Sequence, residues 1–203
     1  AVASIFSAVA AMSATQAIVT YSGTSSYTQA CTLNISGTTL TAGAVLSVNA
    51  INSIYQAITP LSATQAVIAY SSASAFLQAC TLNVSGTTLT AGAILTLNAA
   101  DSRFPSLAAV SATQAVISYT GPTAMFQLNA RALNISGTTI TAGGILVQSV
   151  TPVQSVFSSL KKLTANKFVF LSSVDGIGTG STYGSRAQVL GLNDSQLTAG
   201  VAV

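Results

Sequence analysis

The chain has 203 residues, half of them hydrophobic, which suffices for one globular body or for several small units sharing a core. Charge is scarce: six Lys and Arg, three Asp, no Glu and no His, or 4% of the residues against about a quarter in an ordinary domain. Without a His or paired carboxylates for acid–base work, four ligands for zinc, or a cationic surface for phosphates, the composition disfavours an enzyme, a metalloprotein and a nucleic-acid binder.

No cofactor is therefore expected. The basic pI reflects missing acids rather than a basic patch, and the Val, Ile, Leu and Ala content argues against disorder. The 28 Ser and 26 Thr supply most of the polarity. The most apolar stretch, residues 1–12, is interrupted by Ser4 and Ser7 and is shorter than the roughly 20 residues a spanning helix needs, so no membrane span is expected. The chain opens on Ala rather than Met, which fits a removed secretion signal and an extracellular or surface location.

Internal repetition organises everything else. The Ser-Ala-Thr-Gln-Ala run beginning at Ser13 returns at Ser62 and Ser111. The run 33–43 returns at 82–92 and 133–143, and a fourth, worn copy starts near Thr164 and ends at Gly200. Four units follow, at about 1–52, 53–101, 102–151 and 152–203.

In the first unit, Ala17, Val19 and Tyr21 fall on one face of a strand and Ile18 and Thr20 on the other. Neither face is strongly polar, as expected of a sheet covered on both sides. The second unit reads as four strands, at about 54–61, 65–70, 76–84 and 87–98. Ser62, Ala63 and Thr64 turn the first pair, and Ser85-Gly86 is a hairpin signal because Gly tolerates positive φ. The third unit repeats the pattern. The fourth places Asn193-Asp194 at the hairpin, different chemistry suited to the same turn. It also carries a Gly-rich insertion at 174–184, which lacks a Walker or dinucleotide pattern and reads as a loop or a docking tail. Helical periodicity is absent throughout.

The fold class is thus all-β: four tandem, four-stranded antiparallel units of the size of β-propeller blades, forming a four-bladed ring or part of a larger or oligomeric propeller. The residues carrying this pattern, Leu61, Ser62, Thr64, Val67 and Tyr70 followed by 79–92, resemble the tandem propeller repeats of bacterial surface proteins and phage tail-fibre-like proteins. The resemblance implies a fold and carries over no catalytic residue. Such repeats place charged residues after the Tyr, where this chain has Ser and Gly.

Asn34, Asn83, Asn134 and Asn193 each begin an N-x-Ser sequon near the hairpin, so they are candidate sites for covalent glycans; the plainer reading is that Asn belongs to the local turn chemistry. Tyr21, Tyr70 and Tyr119 end the second strand of three units, with Leu171 in the fourth. They are candidate sugar-stacking aromatics, although such rings more often close a core. Tyr27, Phe76, Phe126 and Tyr183, near the start of the third strand, stand the same way. Cys31 and Cys80 share one repeat position, filled by Arg131 and Gln188 later, and read better as buried thiols than as a bridge. Lys161, Lys162 and Lys167, with Asp175, read as a solvated edge or a subunit contact.

The functional expectation is a non-enzymatic, extracellular structural protein that packs with copies of itself into a filament or surface appendage, its uncharged exterior covered by neighbours or by sugar. The alternative is a carbohydrate-binding, lectin-like module. A 16-stranded membrane barrel is weakened by the absence of Trp and of clean alternation.

Overall fold

The computed structural model describes residues 5–121, 127–147, 153–176 and 184–202. Phe126, Tyr183 and most of the Gly-rich insertion lie outside them. Every regular element described is a β-strand apart from one 3-10 turn at Thr24–Ser26.

The first unit comprises β1 (Ile5–Ala11), β2 (Gln16–Ser22), β3 (Tyr27–Ser36), β4 (Thr39–Ala42) and the start of β5 (Leu46–Ser62). The second takes the rest of β5 with β6 (Gln65–Ser72), β7 (Phe76–Ser85), β8 (Thr88–Ala91) and β9 (Leu95–Asp101). The third is β10 (Arg103–Ser111), β11 (Gln114–Thr120), β12 (Leu128–Ser136), β13 (Thr139–Ala142) and β14 (Leu146–Val147). The fourth is β15 (Val153–Thr164), β16 (Lys167–Gly176), β17 (Gly184–Asn193) and β18 (Gln196–Ala202). All pairings are antiparallel. Because β5 runs unbroken from β3 to β6, the first two units form one nine-stranded sheet, while the third and fourth are separate sheets of five and four strands.

Local chemistry accounts for the turns. Ser13, Ser62 and Ser111 each accept a hydrogen bond on Oγ from the backbone N–H two residues on, at 3.2 Å, which closes the first turn of the first three units. The following hairpin is centred one residue later than expected. Ser85 pairs with Thr88, so Gly86-Thr87 is the turn, with Gly86 at φ +58°. Gly37 and Gly137 share that conformation, and Asp194 adopts it at φ 53° in the fourth unit. Asp is one of the few residues with a side chain that tolerates this region.

The expected fourth strand is in fact broken in two in the first three units, at Gly43, Gly92 and Gly143. The cause lies in the next unit. A Cβ on Gly92 would run into the carbonyl oxygen of Thr138, and one on Gly43 into that of Thr87. The Thr-Ala-Gly repeat therefore marks where one unit's hairpin turn abuts the backbone of the unit before it.

The core occupies the seams. Ile18, Ala30 and Val48 of the first unit pack with Ile68, Tyr70, Cys80 and Leu82 of the second. Val67, Ala69 and Leu77 of the second pack with Ile117, Tyr119 and Leu133 of the third. Val116 and Ala130 of the third pack with Leu160, Phe168, Phe170 and Leu190 of the fourth. Each fully buried aliphatic side chain contributes about 1.5–3 kcal/mol, so a seam of several holds adjacent units firmly. The units stand in chain order, with β5 against β1 and β10, and β10 against β15; among the described residues no extensive contact joins the fourth unit to the first.

Candidate functional site

A repeated clamp ties the seams together. Gln16 Nε2 donates to Asn34 Oδ1 at 2.9 Å and to the turn carbonyl of Gly86 at 2.7 Å. Gln65 does the same with Asn83 and Gly137, and Gln114 with Asn134 and Asp194. Three sequon asparagines are thus partly buried members of an inter-unit polar network, while Asn193 is exposed.

The tyrosines divide in a similar way. Tyr70 and Tyr119 are fully buried and present no ring face to a ligand. Tyr70 Oη accepts from Asn49 Nδ2 of the preceding unit at 3.2 Å. Burial raises the pKa of Tyr70 and pushes that of Tyr119 up to about 12. Tyr21, at the same position of the first unit, is half-buried. The strand register aligns Ser172, not Leu171, with these tyrosines: Leu192 N bonds Asn166 O as Ile135 N bonds Thr113 O, which sets Tyr119 beside position 172. Tyr27 and Phe76 are half-buried.

Cys31 and Cys80 are free and buried. Desolvation raises both thiols, Cys80 to about 12, so neither is a poised nucleophile. Lys161, Lys162 and Lys167 are exposed, and Lys162 Nζ donates to Val110 O across the third seam. Arg131 bonds Gly143 O and reaches Leu97 O of the second unit.

The cavity that stands out lies elsewhere, at the seam between the second and third units. It measures about 330 Å³ and is lined by Asn52, Ile54, Ser71, Ser72, Ala73, Ala75 and Arg103. Its loop is held in shape: Ala75 N donates to Ser72 O, Ser102 N donates to Ala75 O, and Ala75 sits at φ 58°. Ser71 Oγ donates to Ser102 O at 2.6 Å, which leaves its lone pairs as acceptors. Arg103 Nε and Nη2 contact the two oxygens of Asp101 at 2.9 and 3.0 Å. The pair is nearly half exposed, so it adds about 0–1 kcal/mol of stability; its consequence is a guanidinium held in one orientation and charge-balanced. The Asp101 hydrogen bonds also raise the Arg103 pKa, keeping it cationic.

Sequence reasoning did not single out Arg103, although a signal existed. Ile5, Ile54 and Arg103 recur at the same spacing as the Ser-Ala-Thr-Gln-Ala runs, and the cation breaks an otherwise apolar repeat. Phe6, Tyr55 and Phe104 keep that spacing too. All three adopt positive φ at a register-shifting bulge, and their rings stack in sequence with centroids 4.7 and 4.3 Å apart. A non-Gly residue there costs about 1–2 kcal/mol, offset in part by about 0.5–1.5 kcal/mol per aromatic pair.

No protein-family model and no curated protein matches the chain. Among solved structures, a triple arginine-to-alanine mutant of AofleA from Arthrobotrys oligospora is similar at a TM-score of 0.52 and 13% identity, over 98% of this chain and 57% of that one. The chain therefore spans little more than half the length of that structure. The SapL1 lectin in complex with alpha methyl fucoside aligns at a TM-score of 0.40 and 13% identity, over 97% of this chain and 79% of that one. At these identities the likeness to AofleA concerns the fold: an all-β array of antiparallel sheets.

Proposed function

We propose that the chain is an arc of β-propeller blades that binds, without chemical transformation, a neutral carbohydrate at the seam between its second and third units. The observation that carries this reading is the Arg103 cavity. At about 330 Å³ it sits at the small end of ligand sites, a monosaccharide's scale. Its wall combines Ile54, Ala73 and Ala75, which suit the C–H face of a sugar ring, with the Asn52 amide, the Ser72 hydroxyl and an oriented guanidinium. Vicinal hydroxyls both donate and accept, which matches that mixture. Asp101 cancels the charge of Arg103, so the site favours hydroxyls over a free anion. Asp101 is also tied up in that pair, which leaves the cavity no free base.

A glycan array followed by calorimetry tests the reading, with methyl α-fucoside as one probe among the monosaccharides. The expected result is binding by the wild type that drops at least tenfold in Arg103→Ile, the side chain at the matching position of the second unit. Affinity should change little with salt, since no net ion pair forms with the ligand. Absence of glycan binding, or binding indifferent to Arg103→Ile, overturns it.

An extracellular or surface setting and glycan decoration accord with the Ser- and Thr-rich, charge-poor composition. A self-assembling structural role draws on a different feature, the apolar end faces of the first and fourth units.

A further inference from the structure

We infer that this chain associates head to tail with a second copy of itself, the outer face of the fourth unit of one copy seating on the outer face of the first unit of the next. The argument begins from one repeat position. Leu89, Ile140 and Leu197 face the preceding unit and are 5%, 4% and 9% exposed, whereas Leu40, at that position of the first unit, is 63% exposed. Val9 is 66% exposed where its counterparts Leu107 and Leu160 are buried. At the other end, Leu171 and Val189 are 47% and 39% exposed, while the residues in their places in the first three units are fully buried. Both ends therefore present one half of an interface that the chain builds three times internally.

The sizes of the side chains name the occupant. On the first unit's outer face, Val9 and Val19 stand where the other units have Ile58 and Ile68, Leu107 and Ile117, or Leu160 and Phe170. That face has been trimmed. On the fourth unit's outer face, Leu171 replaces Thr20, Ala69 and Ser118, and Val189 replaces Thr32, Thr81 and Ala132. That face has been filled out. Bulk moved from one face to the other is what a mutual fit between the two requires, and neither face fits its own duplicate as well.

Two polar details agree. Gly43, Gly92 and Gly143 are glycines because the next unit's turn abuts them. Gly200 holds that position in the fourth unit, where among the described residues no following turn reaches it; a Cβ there would crowd only its own hairpin, at 3.1 Å from the Val189 carbonyl oxygen. A copy's Gly37-Thr38 turn supplies the missing neighbour. Lys167 replaces the clamp glutamines Gln16, Gln65 and Gln114 and is an exposed donor; the Gly37 carbonyl, matching the accepting carbonyls of Gly86 and Gly137, is its partner in the second copy.

Such a heterologous contact either closes into a ring or runs on as a filament. The test is the mass in solution of the full chain, by light scattering and sedimentation from micromolar to millimolar concentration. Wild type is expected at twice the monomer mass or more. Val9→Arg and Leu171→Arg should each be monomeric, and an equal mixture of them should restore a one-to-one pair, since each retains one intact face. Leu40→Arg, at a position 63% exposed in the isolated chain, should weaken association at least tenfold while the thermal melt of the dilute monomer stays unchanged. That keeps the test decisive if Val9→Arg does not fold. Wild type that remains monomeric, Leu171→Arg that assembles normally, or a mixture that fails to pair overturns the proposal.

Discussion

Adjacent glycines in one loop give a sharp test of the seam geometry. A Cβ on Gly143 would lie 2.6 Å from the Ser195 carbonyl oxygen, a backbone atom of the fourth unit, whereas one on Gly144 meets only the end of Gln196 at 3.9 Å. Ordinary contact is above 3.4 Å, so Gly143→Ala must push the two units apart by several tenths of an ångström. Overpacking of this kind costs about 1–3 kcal/mol, less the roughly 0.4–1 kcal/mol regained by restricting the unfolded chain. The net is about 1–2 kcal/mol, or roughly 2–8 °C in Tm at this chain length. Gly144→Ala keeps the entropy gain without the clash and should be neutral or stabilising by up to about 1 kcal/mol. Gly92→Ala should be worst, because its Cβ would meet both the Thr138 carbonyl and Thr81 Oγ1, whose mutual hydrogen bond would also be lost at about 1 kcal/mol. Urea titrations by circular dichroism, together with calorimetry, measure all three. If Gly143→Ala and Gly144→Ala were indistinguishable, the account of why the fourth strand breaks would be refuted.

Further outcomes follow from the same structure. The Cys80 thiol and Tyr119 phenol are raised on folding to about 12, so the stability they confer is complete below their unfolded pKa values and is lost as pH climbs toward 12. Each titrating group contributes up to about 1.4 kcal/mol per pH unit in that window, and with no His or Glu the melt should be flat from about pH 5.5 to 8. A Cys80→Ala variant should show a shallower alkaline fall, and a steep loss of stability near neutral pH would contradict this. In a glycosylating secretory host, peptide mapping should find sugar on exposed Asn193 ahead of Asn34, Asn83 and Asn134, whose amides are held by the glutamine clamp. Arg103→Ile should remove sugar binding yet shift stability by no more than about 1 kcal/mol, because its ion pair is a surface one.

The all-β character, the repeat and the hairpins could be read from the residues because their causes are local. Ser13, Ser62 and Ser111 close turns through their own hydroxyls, and Gly37, Gly86 and Gly137 carry the positive φ. The one-residue error at the hairpin and at Leu171 arose where register decided. Pairing across strands, not the motif, selected Gly86-Thr87 and Ser172.

The period-two pattern by itself determined which residues share a strand face. Whether another unit covers that face was decided only in three dimensions, since both faces of every unit are apolar. Packing buried Tyr70 and Tyr119, drew Asn34, Asn83 and Asn134 into a clamp, and left Leu40 and Val9 bare. In the sequence Arg103 is only a cation where the first two units have Ile5 and Ile54. It became a candidate site because residues 52–54 and 71–75, distant in sequence, meet it across a seam.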